Sequence, residues 1–202
     1  MTIPAENTSQ LFSWREYKEW PEDERWQIID GHAYRMTAAP SIRHQKITGN
    51  LYASIREKLK GKPCTTFIAP TDVVFDDYNI VQPDVLVVCD DNRITDANIQ
   101  GAPDLVIEVL SPSNSLMDKR LKLQLYERFG VPEYLLVDPL NDLVECYILV
   151  GGVYGRAGIF SWNEELPLMS LPGITIPLWE VFERDPAELN VVKEGPGRYR
   201  VG

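Results

Sequence analysis

Two short apolar runs of this sequence each enclose an acidic residue. Asp84 lies in the first run, residues 81–88, and Glu108 lies in the second, residues 103–111. Both runs are short and rich in β-branched residues, which indicates interior β-strands. A carboxylate in such a strand costs several kcal/mol unless a cation or hydrogen-bond donors compensate it. The pair therefore indicates a shared cation, and Mg²⁺ accepts oxygen ligands of this kind.

The alternation of side chains along the two strands decides whether the carboxylates can meet. Residues two apart share a face of a strand, so Asp84 and Glu108 converge on one sheet surface if their strands are neighbours in register. The alternative for each acid is a structural role, in which backbone N–H groups or a buried arginine neutralise it.

A helix is predicted from about residue 116 to residue 129, directly after the second run. Its apolar stripe faces the sheet, and the adjacent stripe consists of Asp118, Lys122 and Tyr126. At the edge of the buried face, Lys122 can lay its stem along the sheet and bring its ammonium group to the carboxylates. A surface ion pair between Asp118 and Lys122 explains the same spacing more simply. Lys119 is predicted to be solvated, and Tyr126 to be half-buried with its hydroxyl in a polar cleft.

His44 lies near the start of another predicted helix, residues 42–60, whose apolar positions recur every four residues. A lone histidine there is more often structural than catalytic. Its neutral imidazole could still reach a phosphate or a water on a metal ion.

Composition and charge limit the classes of protein. The formal net charge is −10, which disfavours tight, non-specific binding to DNA because such binding rests on lysine and arginine. The three cysteines, Cys64, Cys89 and Cys146, form no C-x-x-C pair and are predicted to be reduced core thiols. No leader-like segment and no run of about 18 apolar residues is present. These features predict a cytoplasmic location without a membrane partner.

The order of motifs resembles the Uma-type family of proposed endonucleases, in the PD-(D/E)XK, restriction-endonuclease-like superfamily. The motifs are an Asp-Gly hairpin at 30–31, Pro-Ser before His44, Gln-Pro-Asp at 82–84, Ile-Glu-Val-Leu-Ser-Pro-Ser at 107–113, and Gly-Val-Pro-Glu-Tyr before Val-Asp-Pro at 130–139. The resemblance covers about residues 12–184. It implies an α/β (α+β) fold with a central mixed sheet flanked by helices, and a phosphodiesterase site that uses Mg²⁺ or Mn²⁺. The superfamily's two acids fall on Asp84 and Glu108.

Two positions depart from the pattern that the resemblance implies. The superfamily places a lysine two residues after the second acid, where this chain has Leu110, so the resemblance suggests that Lys122 takes its place. The family often has an acid before the Asp-Gly hairpin, where this chain has Gln27. If that acid helps to bind metal, the chain is weakened or inactive.

The sequence therefore predicts one domain at residues 12–184, with a flexible N-terminus at 1–11 and a loose tail at 185–202. Its predicted function is a Mg²⁺-dependent endonuclease that acts on nucleic acid, DNA in the first place, as a homodimer. The competing prediction is a nuclease-fold protein whose activity is lost and which serves as a binding or assembly module. A different metal hydrolase is the third alternative.

Overall fold

The fold is described from a computed structural model, over residues 10–21, 24–36, 41–111 and 115–185, without the side chains of 115–118. The predicted flexible N-terminus lies outside the described residues except for 10 and 11, and the predicted tail lies outside them except for 185. The helices are α1 (Trp14–Tyr17), α2 (Ile42–Lys58), α3 (Ser115–Arg128) and α4 (Leu178–Val181). The strands are β1 (Trp26–Ile29), β2 (His32–Arg35), β3 (Thr65–Ile68), β4 (Val73–Asp76), β5 (Asn79–Val81), β6 (Val85–Val88), β7 (Ile99–Gln100), β8 (Leu105–Val109), β9 (Glu133–Asp138), β10 (Leu143–Val150), β11 (Val153–Tyr154), β12 (Gly158–Ser161), β13 (Glu165–Pro167) and β14 (Thr175–Pro177).

A seven-stranded central sheet organises the molecule, in the order β11-β10-β9-β8-β6-β3 with β12 also paired to β10. Strands β8 and β9 run parallel, whereas the other pairs of this sheet are antiparallel. The sheet is therefore mixed, and the predicted α+β class is confirmed. The described strands also form a separate five-stranded sheet, in the order β2-β1-β5-β4-β7, and a two-stranded hairpin of β13 and β14.

Helices α2 and α3 cover opposite faces of the central sheet. The buried stripe of α2, which includes Leu51, packs in one cluster with Val85 and Ile107. Leu125 of α3 packs in a second cluster with the intervening strand residues, such as Leu86. Because neighbouring residues of a strand point to opposite faces, the two clusters lie on the two sides of the sheet. The side chains of α3 thus reach the same face as Glu108.

The sequence predicts one strand for the first acid-bearing run, residues 81–88, but the structure divides this run between two strands. Strand β5 ends at Val81 in the five-stranded sheet, and β6 begins at Val85 in the central sheet. The link between them contains Pro83, which has no N–H to donate to a ladder. Gln82 is held in this link by Asp72 and Arg25, with distances of 2.9 and 3.0 Å. Asp84 therefore lies in a bend between two sheets instead of inside a buried strand.

The prediction of three reduced cysteines is wrong, because Cys64 and Cys89 form a disulfide. Cys64 precedes β3 and Cys89 follows β6, and these antiparallel strands place Thr65 opposite Val88. The two cysteines are consequently direct cross-strand neighbours. Cys146 is free and buried.

The helices of the described residues include none that combines the length and the apolar character needed to cross a membrane.

Candidate active site

Asp84 and Glu108 lie side by side where strand β6 begins and strand β8 ends, in the interior of the central sheet. Strands β6 and β8 are antiparallel with Val85 opposite Ile107, so the next pair in register is Asp84 and Glu108. Directly opposed residues have Cα atoms about 4.5–5.5 Å apart. The Val109 N–H also donates to Asp84 Oδ2 at 2.8 Å, which fixes the Asp84 carboxylate beside β8. The strand pairing thus brings the two acids together.

Glu108 is a buried carboxylate with two donors on one oxygen. Its Oε1 lies 2.8 Å from Lys122 Nζ and accepts a hydrogen bond of 2.6 Å from the Tyr126 hydroxyl. Burial raises the pKa of Glu108, Lys122 opposes that rise, and the charge of Asp84 adds to it, so that the pKa lies at about 7. Glu108 is therefore poised to lose its proton when a further positive charge arrives.

Lys122 and Tyr126 reach Glu108 from α3 because residues four apart lie on the same face of a helix. Lys122 is only 5% exposed, so its ammonium group is directed into the molecule. Tyr126 is fully buried, not half-buried as predicted. Burial and the charge of Glu108 raise the pKa of Tyr126. The Tyr126 hydroxyl therefore stays protonated and acts as the hydrogen-bond donor to Glu108.

His44 contacts Asp84 from the start of α2. Its Nε2 lies 3.3 Å from Asp84 Oδ2, and its Nδ1 lies 3.3 Å from the Thr48 hydroxyl. Burial lowers the pKa of His44, but the hydrogen bond to Asp84 and the charge of that carboxylate raise it by more, so the pKa is raised overall. The imidazole thus belongs to the same group of side chains as the two acids.

The two other predicted accessory residues are Gln27 and Asp118, and the structure links them less directly to Asp84 and Glu108. Gln27 is buried on β1, and its Oε1 has no hydrogen-bond partner in the described part of the chain. It shares a face of β1 with Ile29, which packs in the same cluster as Tyr126. The side chain of Asp118 lies outside the described residues.

Two contributors to the site were missed by the sequence reasoning. The Val109 N–H binds Asp84, and no side-chain pattern marks a backbone donor. Thr48 binds the His44 ring, and its position four residues after His44 on a helix was an available signal.

Asp104 is an internal comparison for the structural interpretation of Asp84. It also follows a proline and precedes a strand of the pair, and its Oδ2 accepts the Cys89 N–H at 2.8 Å. Asp84 makes the matching bond to Val109, so part of its role is to cap the end of the neighbouring strand. Only Asp84, however, also contacts a histidine and faces a second carboxylate.

The donor set fits a single hard divalent cation. Oδ1 of Asp84 and Oε2 of Glu108 make no hydrogen bond to any described residue, while the other oxygen of each carboxylate is occupied. Within the same residues, no cluster of three or more histidine, cysteine, aspartate or glutamate side chains could hold a metal ion. Two carboxylate oxygens suffice for Mg²⁺, since this ion keeps several of its waters.

A mixed sheet flanked by helices, with two opposed acids and a lysine where β6 begins and β8 ends, defines a restriction-endonuclease-like protein. Residues 14–179 match the model of the Uma2 family, described as "Putative restriction endonuclease". The chain belongs to this family.

The chain is also similar to individual proteins. It is 31% identical to the uncharacterised protein slr1290 of Synechocystis sp. over 65% of this chain and 71% of that protein. It is 29% identical to a second Synechocystis protein, sll1609, over 71% of this chain and 84% of that one. A crystal structure of a "putative nuclease belonging to DUF820" from Anabaena variabilis superposes with a TM-score of 0.71 at 20% identity, over 85% of this chain and 98% of that one. At this identity the superposition shows a shared fold.

Proposed function

We propose that this protein is a divalent-metal-dependent endonuclease that hydrolyses phosphodiester bonds of nucleic acid. The observation that carries the proposal is the opposed pair Asp84 and Glu108, with the ammonium group of Lys122 at 2.8 Å from Glu108. Membership of the family described as "Putative restriction endonuclease" supports the same chemistry.

Asp84 and Glu108 would hold Mg²⁺ or Mn²⁺ through the carboxylate oxygens that have no hydrogen bond to the protein. A cation there would lower the pKa of water and neutralise charge on the phosphate. Tyr126 and Lys122 fix Glu108 by its Oε1, which leaves Oε2 for the ion. Lys122 would also stabilise the negative charge that develops on the phosphate, since a fixed cation in a dry site acts strongly.

His44 and the Val109 N–H both occupy Oδ2 of Asp84, so they would orient Oδ1 toward the cation. Gln27 offers a buried amide oxygen without a partner in the described residues, and amide oxygens are acceptable ligands of hard cations. Both side chains are therefore proposed as accessory residues of the site.

The finer assignments are DNA as the substrate, a homodimer as the assembly and the cytoplasm as the location. DNA is inferred from the family description "Putative restriction endonuclease", since a restriction endonuclease cleaves DNA. A two-fold dimer would let two sites address two strands. The cytoplasm stays a prediction, and the disulfide weakens it because such bonds are rare in that compartment.

A binding or assembly module on an inactive nuclease fold is the second candidate. It is favoured by Gln27 at the position where the family often has an acid, and by the lack of a three-ligand metal cluster in the described residues. The two candidates differ in one property, which is metal-dependent cleavage.

Cleavage is tested by incubating supercoiled plasmid, linear DNA and single-stranded RNA with the protein and Mg²⁺, Mn²⁺ or EDTA. We expect nicking of DNA with either metal, none with EDTA, and none by Asp84→Asn. Asp104→Asn is the matched control, because it alters the equivalent strand cap without touching the two-acid pair, and it should keep activity. Cleavage that is equal in wild type and Asp84→Asn, or absent from all samples, would refute the endonuclease.

A further inference from the structure

A third acid, Glu145, lies in the same row of residues as Asp84 and Glu108. Glu108 pairs with Leu136 of β9, and Leu136 pairs with Glu145 of β10. Adjacent strands are about 4.8 Å apart, so Glu145 lies about 9–10 Å from Glu108 along the row. The side chains of both glutamates contact α3, and the two acids therefore share one face of the sheet.

The surroundings of Glu145 repeat those of Glu108. Lys119 of α3 lies 2.5 Å from Glu145 Oε1, and the Tyr147 hydroxyl donates to Oε2 at 2.5 Å. Lys119 precedes Lys122 by three residues, so both lysines point from the same side of the helix to the sheet. The side chain of Lys119, which is predicted to be solvated, is 36% exposed, and its ammonium group is in addition ion-paired with Glu145.

The two groups differ in their access to solvent. The side chains of Lys119 and Glu145 are 36% and 28% exposed, whereas those of Lys122 and Glu108 are 6% and 10% exposed. The inner group, Lys122 and Glu108, is largely shielded from water, which strengthens the action of its charges on a reacting group. The outer group is open enough to touch a large molecule that lies over the inner one.

We propose that Lys119 binds a backbone phosphate of the nucleic acid, beside the phosphate that is cleaved at Asp84 and Glu108. The inference rests on the proposed function and deepens it, because it makes the substrate a polymer with a phosphate next to the cleaved one. The phosphates of one strand advance about 3.4 Å per nucleotide along the duplex axis and lie further apart than this in a straight line, so a span of about 9–10 Å reaches the phosphates next to the cleaved one. An ammonium group has three N–H donors, and one bond to Glu145 leaves donors for a phosphate.

Glu145 and Tyr147 have a defined part in this arrangement. They hold Lys119 over the sheet, which reduces the side-chain entropy lost when a phosphate binds. The charge of Glu145 also repels the phosphate. Glu145→Gln keeps an oxygen that accepts from Lys119 but removes this charge, so it should tighten nucleic-acid binding.

The alternative role for Lys119 is purely structural, as one member of a partly exposed ion pair that contributes little to stability. The two interpretations differ in substrate dependence. A residue that contacts a neighbouring phosphate affects only substrates that have one, whereas a residue that merely supports α3 affects all substrates alike.

The kinetic test compares an oligonucleotide with bis(p-nitrophenyl) phosphate, a diester without neighbouring phosphates. For Lys119→Ala we expect the KM for the oligonucleotide to rise about fivefold, as for loss of one phosphate contact, with kcat within about twofold. Turnover of the small diester should not change, and Lys119→Arg should restore the oligonucleotide KM. The matched control is Lys60→Ala, which breaks another 2.5 Å lysine–glutamate pair beyond the far end of α2 and should change neither substrate. An unchanged oligonucleotide KM, or an equal loss on both substrates, would overturn the inference.

A binding test separates this inference from the proposed function. Fluorescence anisotropy with a labelled oligonucleotide in EDTA needs no cleavage. The slope of log K against log salt concentration should fall by about one for Lys119→Ala relative to wild type. If wild type binds with that difference but never cleaves, the endonuclease fails and the phosphate contact stands. If wild type does not bind, or the slope is the same for both proteins, the phosphate contact fails.

Discussion

Glu108 differs from an ordinary surface glutamate because burial holds its pKa at about 7, despite the ammonium group of Lys122 beside it. The ordinary value is 4.5, so between these two pH values the folded protein binds a proton that the unfolded chain releases. The Glu108 contribution to stability therefore falls as pH rises from about 4.5 through about 7. A divalent cation needs the ionised form and must displace this proton.

The pH dependence of metal binding follows from that pKa. Affinity for Mn²⁺ should rise as pH increases from about 6 to about 7.5 and level off above it, because Glu108 is then already ionised. Calorimetric titrations near pH 6.5 in two buffers of different ionisation enthalpy should reveal the release of a fraction of a proton per ion. An affinity that does not change across this range would show that Glu108 does not bind the ion.

Lys122 is predicted to act on the phosphate and not on the metal. Lys122→Ala should lower the rate of DNA cleavage about 100-fold or more, by loss of a fixed charge in a buried site, while Mn²⁺ binding above pH 8 survives. Cleavage is measured by plasmid nicking and metal binding by calorimetry, with Lys60→Ala as the control. Undiminished cleavage would count against the proposal that this helix supplies the lysine missing at Leu110.

The elements around the site differ in how well the sequence predicts them. Helices α2 and α3 lie within a few residues of their predicted bounds, since their apolar periodicity is regular. The division of residues 81–88 into β5 and β6 could not be predicted, because an apolar run has the same pattern in one sheet or in two. The bend depends on Gln82 and its partners Arg25 and Asp72, which are remote in sequence.

The start of α2, and with it His44, is fixed by a buried acid in the turn between β9 and β10. Asp142 binds the guanidinium groups of Arg43, in α2, and of Arg184, which follows α4. Arg43 directly precedes His44, so this contact also sets where the imidazole lies.

Removing the charge of Asp142 should therefore destabilise the protein. Asp142→Asn tolerates the positive φ of 51° but removes the charge that assists three hydrogen bonds from two guanidinium groups, at a cost of about 2–3 kcal/mol in the free energy of unfolding. Glu183→Gln is the matched control, because Glu183 also has a positive φ, of 54°, but its ion pair with Lys46 is exposed. The control should lose less than about 1 kcal/mol in urea unfolding. Equal losses for both variants would mean that burial of Asp142 does not matter.

For the whole molecule, the resemblance to a known family made it possible to predict the fold and the two acids of the site from the sequence. The contacts that complete the site could not be predicted from it, since Tyr126 and His44 meet Glu108 and Asp84 only through packing of separate layers. The disulfide is of the same kind. Cys64 and Cys89 become neighbours through the register of β3 and β6, which cysteine spacing does not encode.

The disulfide gives a prediction for the entire chain. Under denaturing, non-reducing conditions one of the three cysteines should react with a thiol reagent, and reduction should release two more. Because the bond joins residues 25 apart, reduction should lower the free energy of unfolding by about 3.5 kcal/mol in the chain-entropy model. Three reactive thiols before reduction, counted by mass spectrometry, would show that the bond does not form.

The most direct test of the two-acid centre is a calorimetric titration of Mn²⁺ and Mg²⁺ into wild type, Asp84→Asn, Glu108→Gln and Asp104→Asn. One ion should bind per chain in wild type and in Asp104→Asn, whose altered carboxylate caps a strand but does not face Glu108. Affinity should fall at least about tenfold in each of the other two variants, because each removes one charged oxygen ligand. Equal binding in all four proteins, or no binding by wild type, would show that Asp84 and Glu108 do not form a metal centre.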